Sequence, residues 1–322
     1  MHVVARSGSA RRSRAERDEA IWCAYVPLIL LLLCACAPAP RTTLVTNNQV
    51  TATLAAQSSL RFPGEITALS LDAFGNLFVL DRAHAALIEY SKTGDSLRSI
   101  SGLGRDHYNF DLPTGVDARL TNSIFVADFA NHRIESYTRA LAYDVTLYAR
   151  EDADAAHRFG FPRGVAADDA GDIYLIDGEN KRVLKFRSDF TFERVIGGFS
   201  EATRSFGVLS NPTHLCVDGG QHLIVLDRDG HALMSYDLFG NALAEIPLEE
   251  SVVSICTTGD SLLALASSGK DVRLYDTRTL AQVGRWHTPS DSIAYRTIAS
   301  RAGAFYLAGT SAIRRCVPIP NP

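Results

Sequence analysis

The sequence predicts an all-β chain folded as a six-bladed β-propeller closed by an N-terminal strand, and three observations predict it. One stretch is written again and again. Its clearest copy is FPRGVAADDAGDIYLIDGENKRVLKF at residues 161–186, with further copies beginning at Leu112 and Asn211, a looser one at Glu65 and a degenerate one at Val253. Aligning the copies on the end of their second apolar run gives anchors at Asp81, Asp128, Asp177, Asp227, Ala266 and Ala308, which lie 47, 49, 50, 39 and 42 residues apart. Nine residues past each of the first five anchors stands an aromatic, namely Tyr90, Tyr137, Phe186, Tyr236 and Tyr275. A period near about 45 residues with four short strands per unit marks a propeller rather than a helical solenoid.

Each unit divides into strands by its own turn residues. In the clearest copy, residues 164–167, 173–176 and 183–186 are apolar runs separated by the Gly-containing turn 168–172 and the polar turn 177–181. The hairpin turn before the second strand recurs as Gly75-Asn76, Asn122-Ser123, Gly171-Asp172, Gly219-Gly220, Gly259-Asp260 and Arg301-Ala302-Gly303. A fourth strand follows each aromatic, at residues 96–101, 142–149, 192–196 and 243–247. The strands are apolar on both faces, as expected of sheets sandwiched between neighbours. No segment past the leader keeps a helical period.

The sixth copy reaches Pro322 just after its third strand, so its outer strand is missing. Residues 43–54 (TLVTNNQVTATL) are strand-like and belong to no other unit. They are expected to supply that strand, closing the ring and removing the edges a linear array would expose. The propeller is expected over residues 43–322 as one domain.

Residues 1–35 read as a signal peptide. Five arginines precede an apolar run over residues 21–33, which ends in LCACAPAP. Leu33-Cys34-Ala35-Cys36 is similar to a bacterial lipobox, which implies cleavage before Cys36, lipidation of that cysteine and a short stiff tether over residues 36–42. Ala37 points to the outer membrane, facing the periplasm. The alternative is an uncleaved signal anchor.

Removing residues 1–35 takes away five Arg and three acids, so the formal charge moves from −4 to −6. A chain this acidic does not suit nucleic acid, whose affinity rests on neutralised phosphates. After Cys36 only Cys216, Cys256 and Cys316 remain, with no close pair, so neither a zinc site nor a disulfide framework is indicated.

The chain resembles the NHL-repeat family of six-bladed propellers. The residues that carry the resemblance are PTGVDA…SIFVADFANHRIESY at 113–137, with Asn131-His132-Arg133 inside it, and PRGVAADDAGDIYLIDGENKRVLKF at 162–186. The resemblance specifies fold better than function. It implies one of two activities: a scaffold that binds a protein or peptide partner, or a metal-dependent lyase or lactonase with its site at the channel mouth.

The loops before strand one and after strand two of each blade share one end of a propeller. Here they carry Arg82, His84, Arg105, Asn131, Asn180, Lys181, Arg228 and His231, and also Arg133, Arg163, Arg182, His132 and His214, which are the residues expected to face a partner. The recurrent aspartates are read as turn residues accepting backbone N–H bonds two or three residues on. His214 takes the place held by Ala68, Gly115, Gly164, Val253 and Tyr295 in the other copies, at the mouth of the central channel. No second imidazole or carboxylate stands there, whereas a metal site needs several ligands. No metal or other cofactor is therefore expected under the binding reading. The enzyme reading would place His214 beside an anion-binding Arg163, with calcium or zinc in the channel.

Overall fold

The structure, a computed structural model, describes residues 50–148, 157–198, 207–219, 221–248, 251–259, 261–266, 269–291, 293–310 and 312–320. The expected leader, tether and Cys36 lie outside the described residues. Among the latter, every regular element is a strand. First comes β1 (Val50–Arg61). Blade one follows as β2 (Ile66–Leu71), β3 (Leu77–Asp81), β4 (Ala86–Tyr90) and β5 (Ser96–Ser101). Blade two is β6 (Pro113–Asp117), β7 (Ser123–Asp128), β8 (Arg133–Thr138) and β9 (Tyr143–Tyr148). Blade three is β10 (Val165–Ala167), β11 (Ile173–Asp177), β12 (Arg182–Phe186) and β13 (Phe192–Ile196). Blade four is β14 (Pro212–Val217), β15 (His222–Asp227), β16 (Ala232–Asp237) and β17 (Ala242–Pro247). The remaining strands are β18 (Val252–Thr258), β19 (Ser261–Ala266), β20 (Asp271–Asp276), β21 (Gln282–His287), β22 (Thr297–Arg301), β23 (Ala304–Ala308) and β24 (Ala312–Pro320).

Blades one to four are separate four-stranded antiparallel sheets, each ordered as in the sequence. The rest is one eight-stranded sheet, ordered β18-β19-β20-β21-β1-β24-β23-β22. It consists of two four-stranded units, β18–β21 and β22-β23-β24-β1, fused by a short parallel pairing of β1 with β21. The described residues form six buried apolar layers, one in each interface between consecutive units, including the interface between the last unit and blade one. The ring is therefore closed, and each sheet is buried on both faces by its neighbours. Middle strands such as β3 and β11 are buried at every position, whereas the outer β5 is almost wholly exposed.

Closure comes from the N-terminal strand, as expected, but the strand lies further along the chain. β1 pairs antiparallel with β24 from Ala52↔Pro320 to Arg61↔Ala312. Residues 43–49 of the expected strand lie outside the described residues, while residues 55–61 join it. The small and polar Ala55-Ala56-Gln57-Ser58-Ser59 do not look like core, and they are not core: an outermost strand faces solvent, and residues 56–59 are exposed.

The anchor aspartates recur for a reason the turn reading only partly captures. Their carboxylates are buried, and each accepts at least one bond from the linker entering the same blade. Asp81 takes Glu65 N (2.8 Å), Asp128 takes Asp111 N (2.8 Å), Asp177 takes Gly160 N (3.1 Å), and Asp227 takes Ser210 N and Asn211 N (2.7 and 2.6 Å). Turn bonds of the expected kind are added at Ala83 N and Asn180 N. Each aspartate thus pins the crossing from one blade to the next, satisfying amides that no sheet reaches. Gly64 is required there, because a Cβ on it would lie 2.0 Å from the Asp81 carboxylate.

Candidate functional site: the loop face at the channel mouth

The start of each inner strand and the turn after each second strand meet at one end of the ring. There the inner strands are laced together. Thr67 Oγ1 donates to Pro113 O (3.2 Å) and Thr114 Oγ1 to Pro162 O (3.0 Å), each reaching the next blade. In blade three the same role falls to Arg163, whose Nη1 donates to the side-chain oxygen of Asn211. Asn211 in turn donates to Asp229 (3.0 Å). The glycines that precede His214 in the repeat are there for contact rather than for an open channel. A Cβ on Gly115 would sit 2.9 Å from the Gly164 backbone, and one on Gly164 2.8 Å from Leu215.

His214 is the third residue of the inner strand of blade four, with Nδ1 3.2 Å from Thr213 Oγ1. The residue is half-buried. Burial, reinforced by the positive charge of Arg228, pushes its pKa down to about 4. The imidazole is therefore neutral at physiological pH, and too weak a base to be tuned for proton transfer near neutrality. The depressed value carries a stability consequence. A histidine with a folded pKa near 4 and an ordinary value of 6.5 contributes fully above pH 6.5, and the contribution is lost as pH falls through that window. Between pH 7 and pH 4.5 the His214→Gln variant is expected to lose about 2–3 kcal/mol less stability than the parent chain. Denaturant titrations at the two pH values check this.

In the register of the sheet, the places equivalent to His214 are Ala68, Gly115, Gly164, Ser254 and Ile298, so the expected Val253 and Tyr295 are corrected. The hairpins of the last two units are shorter than those of the first four, which shifts the count. Ser254 is buried, with its Oγ 3.4 Å from Thr297 Oγ1.

Two of the residues expected to face a partner do not. Arg133 is 1% exposed. Its Nε donates to Asp128 (2.9 Å), Nη1 to Arg105 O (2.7 Å), and Nη2 to Asp106 O and Asn109 O (3.0 and 2.8 Å), while Nη1 also lies 2.8 Å from Glu135. A planar guanidinium saturates the carbonyls of the linker that folds over blade two. Burial raises the carboxyl pKa of both Asp128 and Glu135, against the opposing effect of the arginine. Arg182 repeats the arrangement in blade three, bonding Asp177 (2.9 Å) and Arg158 O (2.8 Å). Both are structural clamps. His132 is half-buried in the seam between blades two and three, its ring 4.1 Å from that of Phe161 and its Nδ1 accepting from Phe161 N (3.3 Å).

What the face does offer is a different set of cations. Arg105, Arg158, Lys181, Arg228 and Arg296 are exposed, and their side chains have neither an ion pair nor a hydrogen bond among the described residues. Arg105, Lys181 and Arg228 were legible as loop-face residues. Arg158 and Arg296 stand in linkers, where the repeat gives no register.

The opposite end of the channel holds an arrangement that the sequence did not announce. Arg119 pairs with Asp117 (3.0 Å) and extends its guanidinium to Ala167 O (2.9 Å) and Val217 O, joining blades two, three and four. Arg301 reaches from the last unit to Arg119 O (2.6 Å) and Leu71 O (3.4 Å). Arg119 borders a cavity of about 80 Å³ lined by all six inner strands, including Cys216 and Cys256. Burial raises both thiol pKa values, that of Cys216 to about 12, so neither cysteine is a ready nucleophile. Among the described residues, no group of three or more His, Cys, Asp or Glu is arranged to hold a metal ion.

The architecture defines the class: the protein is an all-β propeller. It carries an NHL repeat, whose family matches residues 159–186, the copy that reads most clearly in the sequence. No curated protein matches the chain in sequence. Solved structures match its fold. A streptogramin B lyase structure is 11% identical, with a TM-score of 0.59, over 81% of this chain and 98% of that one. A catalytically inactive His-to-Ala variant of virginiamycin B lyase from Staphylococcus aureus, solved with quinupristin, is 12% identical, with a TM-score of 0.58, over 81% and 99%. At such identities the likeness is one of fold alone.

Proposed function

We propose that this protein is a non-catalytic binding module, anchored to the bacterial envelope through lipidated Cys36, which presents its loop face to a protein or peptide partner. The exposed and unpaired cations of that face carry the reading. In a chain of net charge −4, these side chains are held out at one end of the ring without an ion pair among the described residues. The recurrent acids of the same loops are buried and engaged with backbone amides. Such a face suits the acidic side chains of a partner, where opposite charge speeds encounter and fixes orientation.

A photoreactive residue at Lys181 or Arg105 is expected to give one discrete adduct in native membranes. The same residue at Ala170, in the turn at the other end of the ring, should give none. An identical adduct from Ala170, or none from either loop position, would overturn the reading. Metabolic labelling with a lipid precursor is expected to mark the parent chain and to be lost in Cys36→Ala. Membrane retention without label would favour the uncleaved anchor.

A second reading, suggested by the lyases among its structural neighbours, is an enzyme using His214 with Arg163 and a calcium or zinc ion. Two features weigh against it: the low basicity of His214, and the engagement of Arg163 with Asn211. Turnover, or bound metal, that disappears in His214→Ala would establish it.

A further inference from the structure

We propose that the seam between the last unit and blade one is a docking groove for an extended segment of a partner polypeptide, which lays an aliphatic side chain on Ala86 and Ile88 and presents a backbone carbonyl to the Tyr90 hydroxyl. The groove has a volume of about 230 Å³, and its walls include Phe62, His84, Ile88, Tyr90, Ser99 and Ser101.

The molecule shows what belongs there, because it fills the same place elsewhere with its own chain. In blade two the linker before Phe110 lies over the face of β8, and the Tyr137 hydroxyl donates to His107 O. In blade four the Tyr236 hydroxyl donates to Gly207 O (3.0 Å). Blade four is the closest parallel, since Ala232, Met234 and Tyr236 occupy the sheet positions of Ala86, Ile88 and Tyr90. The Tyr90 hydroxyl, by contrast, makes no hydrogen bond among the described residues. The cause is ring closure. Residues that would lie over blade one as a linker are instead β1, paired along its length with β24, and only three residues separate Arg61 from Glu65. Phe62 still fills the inner wedge position, buried at 2%, but among the described residues none follows it outwards.

The chemistry of the groove fits a neutral peptide. Asp81 is already bonded to His84 Nδ1 (2.6 Å) and to two backbone amides, so no unpaired charge faces the cavity. The hydroxyls of Tyr90, Ser99 and Ser101 suit backbone carbonyls. The volume falls below the roughly 300 Å³ at which small-molecule clefts begin. Nor do the described ends of the chain reach it. Val50 and Pro320 lie together at the far end of β1, whose twelve residues span roughly 40 Å. The groove also adjoins the loop face through His84, which is on the turn after β3.

The probe is a blocked peptide with the sequence of residues 201–208, EATRSFGV, compared with a scrambled version and titrated by fluorescence anisotropy against the purified chain. Saturable binding in the millimolar range or tighter is expected. Tyr90→Phe should weaken it roughly five-fold, the loss of one hydrogen bond. Ser99→Trp, an exposed outer-strand change that fills the groove, should abolish it. Arg228→Glu should leave it unchanged, which separates this site from the loop-face reading. The proposal is overturned if the peptide fails to saturate, if binding is indifferent to Tyr90→Phe and Ser99→Trp, or if sedimentation reveals a dimer that Ser99→Trp dissociates, which would make a second copy the occupant.

Discussion

Arg133→Ala is expected to destabilise the propeller by about 3–5 kcal/mol, the range for breaking a buried charge network by removing one partner. For a domain of this size that lowers Tm by roughly 10 °C. The side chain is 2% exposed and contacts two carboxylates and three linker carbonyls. Removing it leaves Asp128 and Glu135 buried without a counter-charge, and frees the segment that covers blade two. Arg182→Ala, at a site 14% exposed with fewer bonds, should lose clearly less. Equal, small losses in the two variants would show that Arg133 is not a clamp. Thermal unfolding followed by circular dichroism makes the comparison, and partner capture should track stability in both rather than charge.

A chain beginning at Phe62 is expected to lose its cooperative, monomeric unfolding transition altogether. Without β1 the last unit keeps three strands, and β24 and β21 both become open edges, which recruit other chains. The milder test is Leu54→Ala. Leu54 is fully buried in the layer between the last two units, and the truncation should destabilise by about 2–5 kcal/mol. Light scattering of the shortened chain and denaturant unfolding of the point variant give the two results. A shortened chain that remains monomeric and unfolds cooperatively would mean that the eight-stranded sheet holds without its strap.

Much of the fold was legible because a propeller writes its architecture repeatedly. The outer strands Ser96–Ser101 and Phe192–Ile196 appear where the spacing from the aromatic placed them. The recurrent aspartate was legible as a backbone acceptor of its own turn, as at Ala83 and Asn180, but not as a holder of linker amides, which lie 16 or 17 residues earlier in the chain. The site was read less well. Arg133 and Arg182 follow polar turns, and a polar turn predicts exposure. Their burial depends on a linker folding back over them, and linkers carry no periodic signal. Arg119 and Arg301 occur once each, and only the closed ring brings them to one end of the channel.

By itself the sequence determined the repeat, the number of units, the turn chemistry and the need for a strand from the N-terminal side to complete the last unit. These are local properties, set by apolar runs, glycines and chain length. The tertiary structure decided which polar side chains remain available. Burial and hydrogen-bond saturation depend on the neighbouring blade, and the repeat, which is written one blade at a time, does not encode that neighbour. Two arginines thus became clamps, a separate set of cations became the exposed face, and among the described residues one seam has the closing strand where the other blades have a linker.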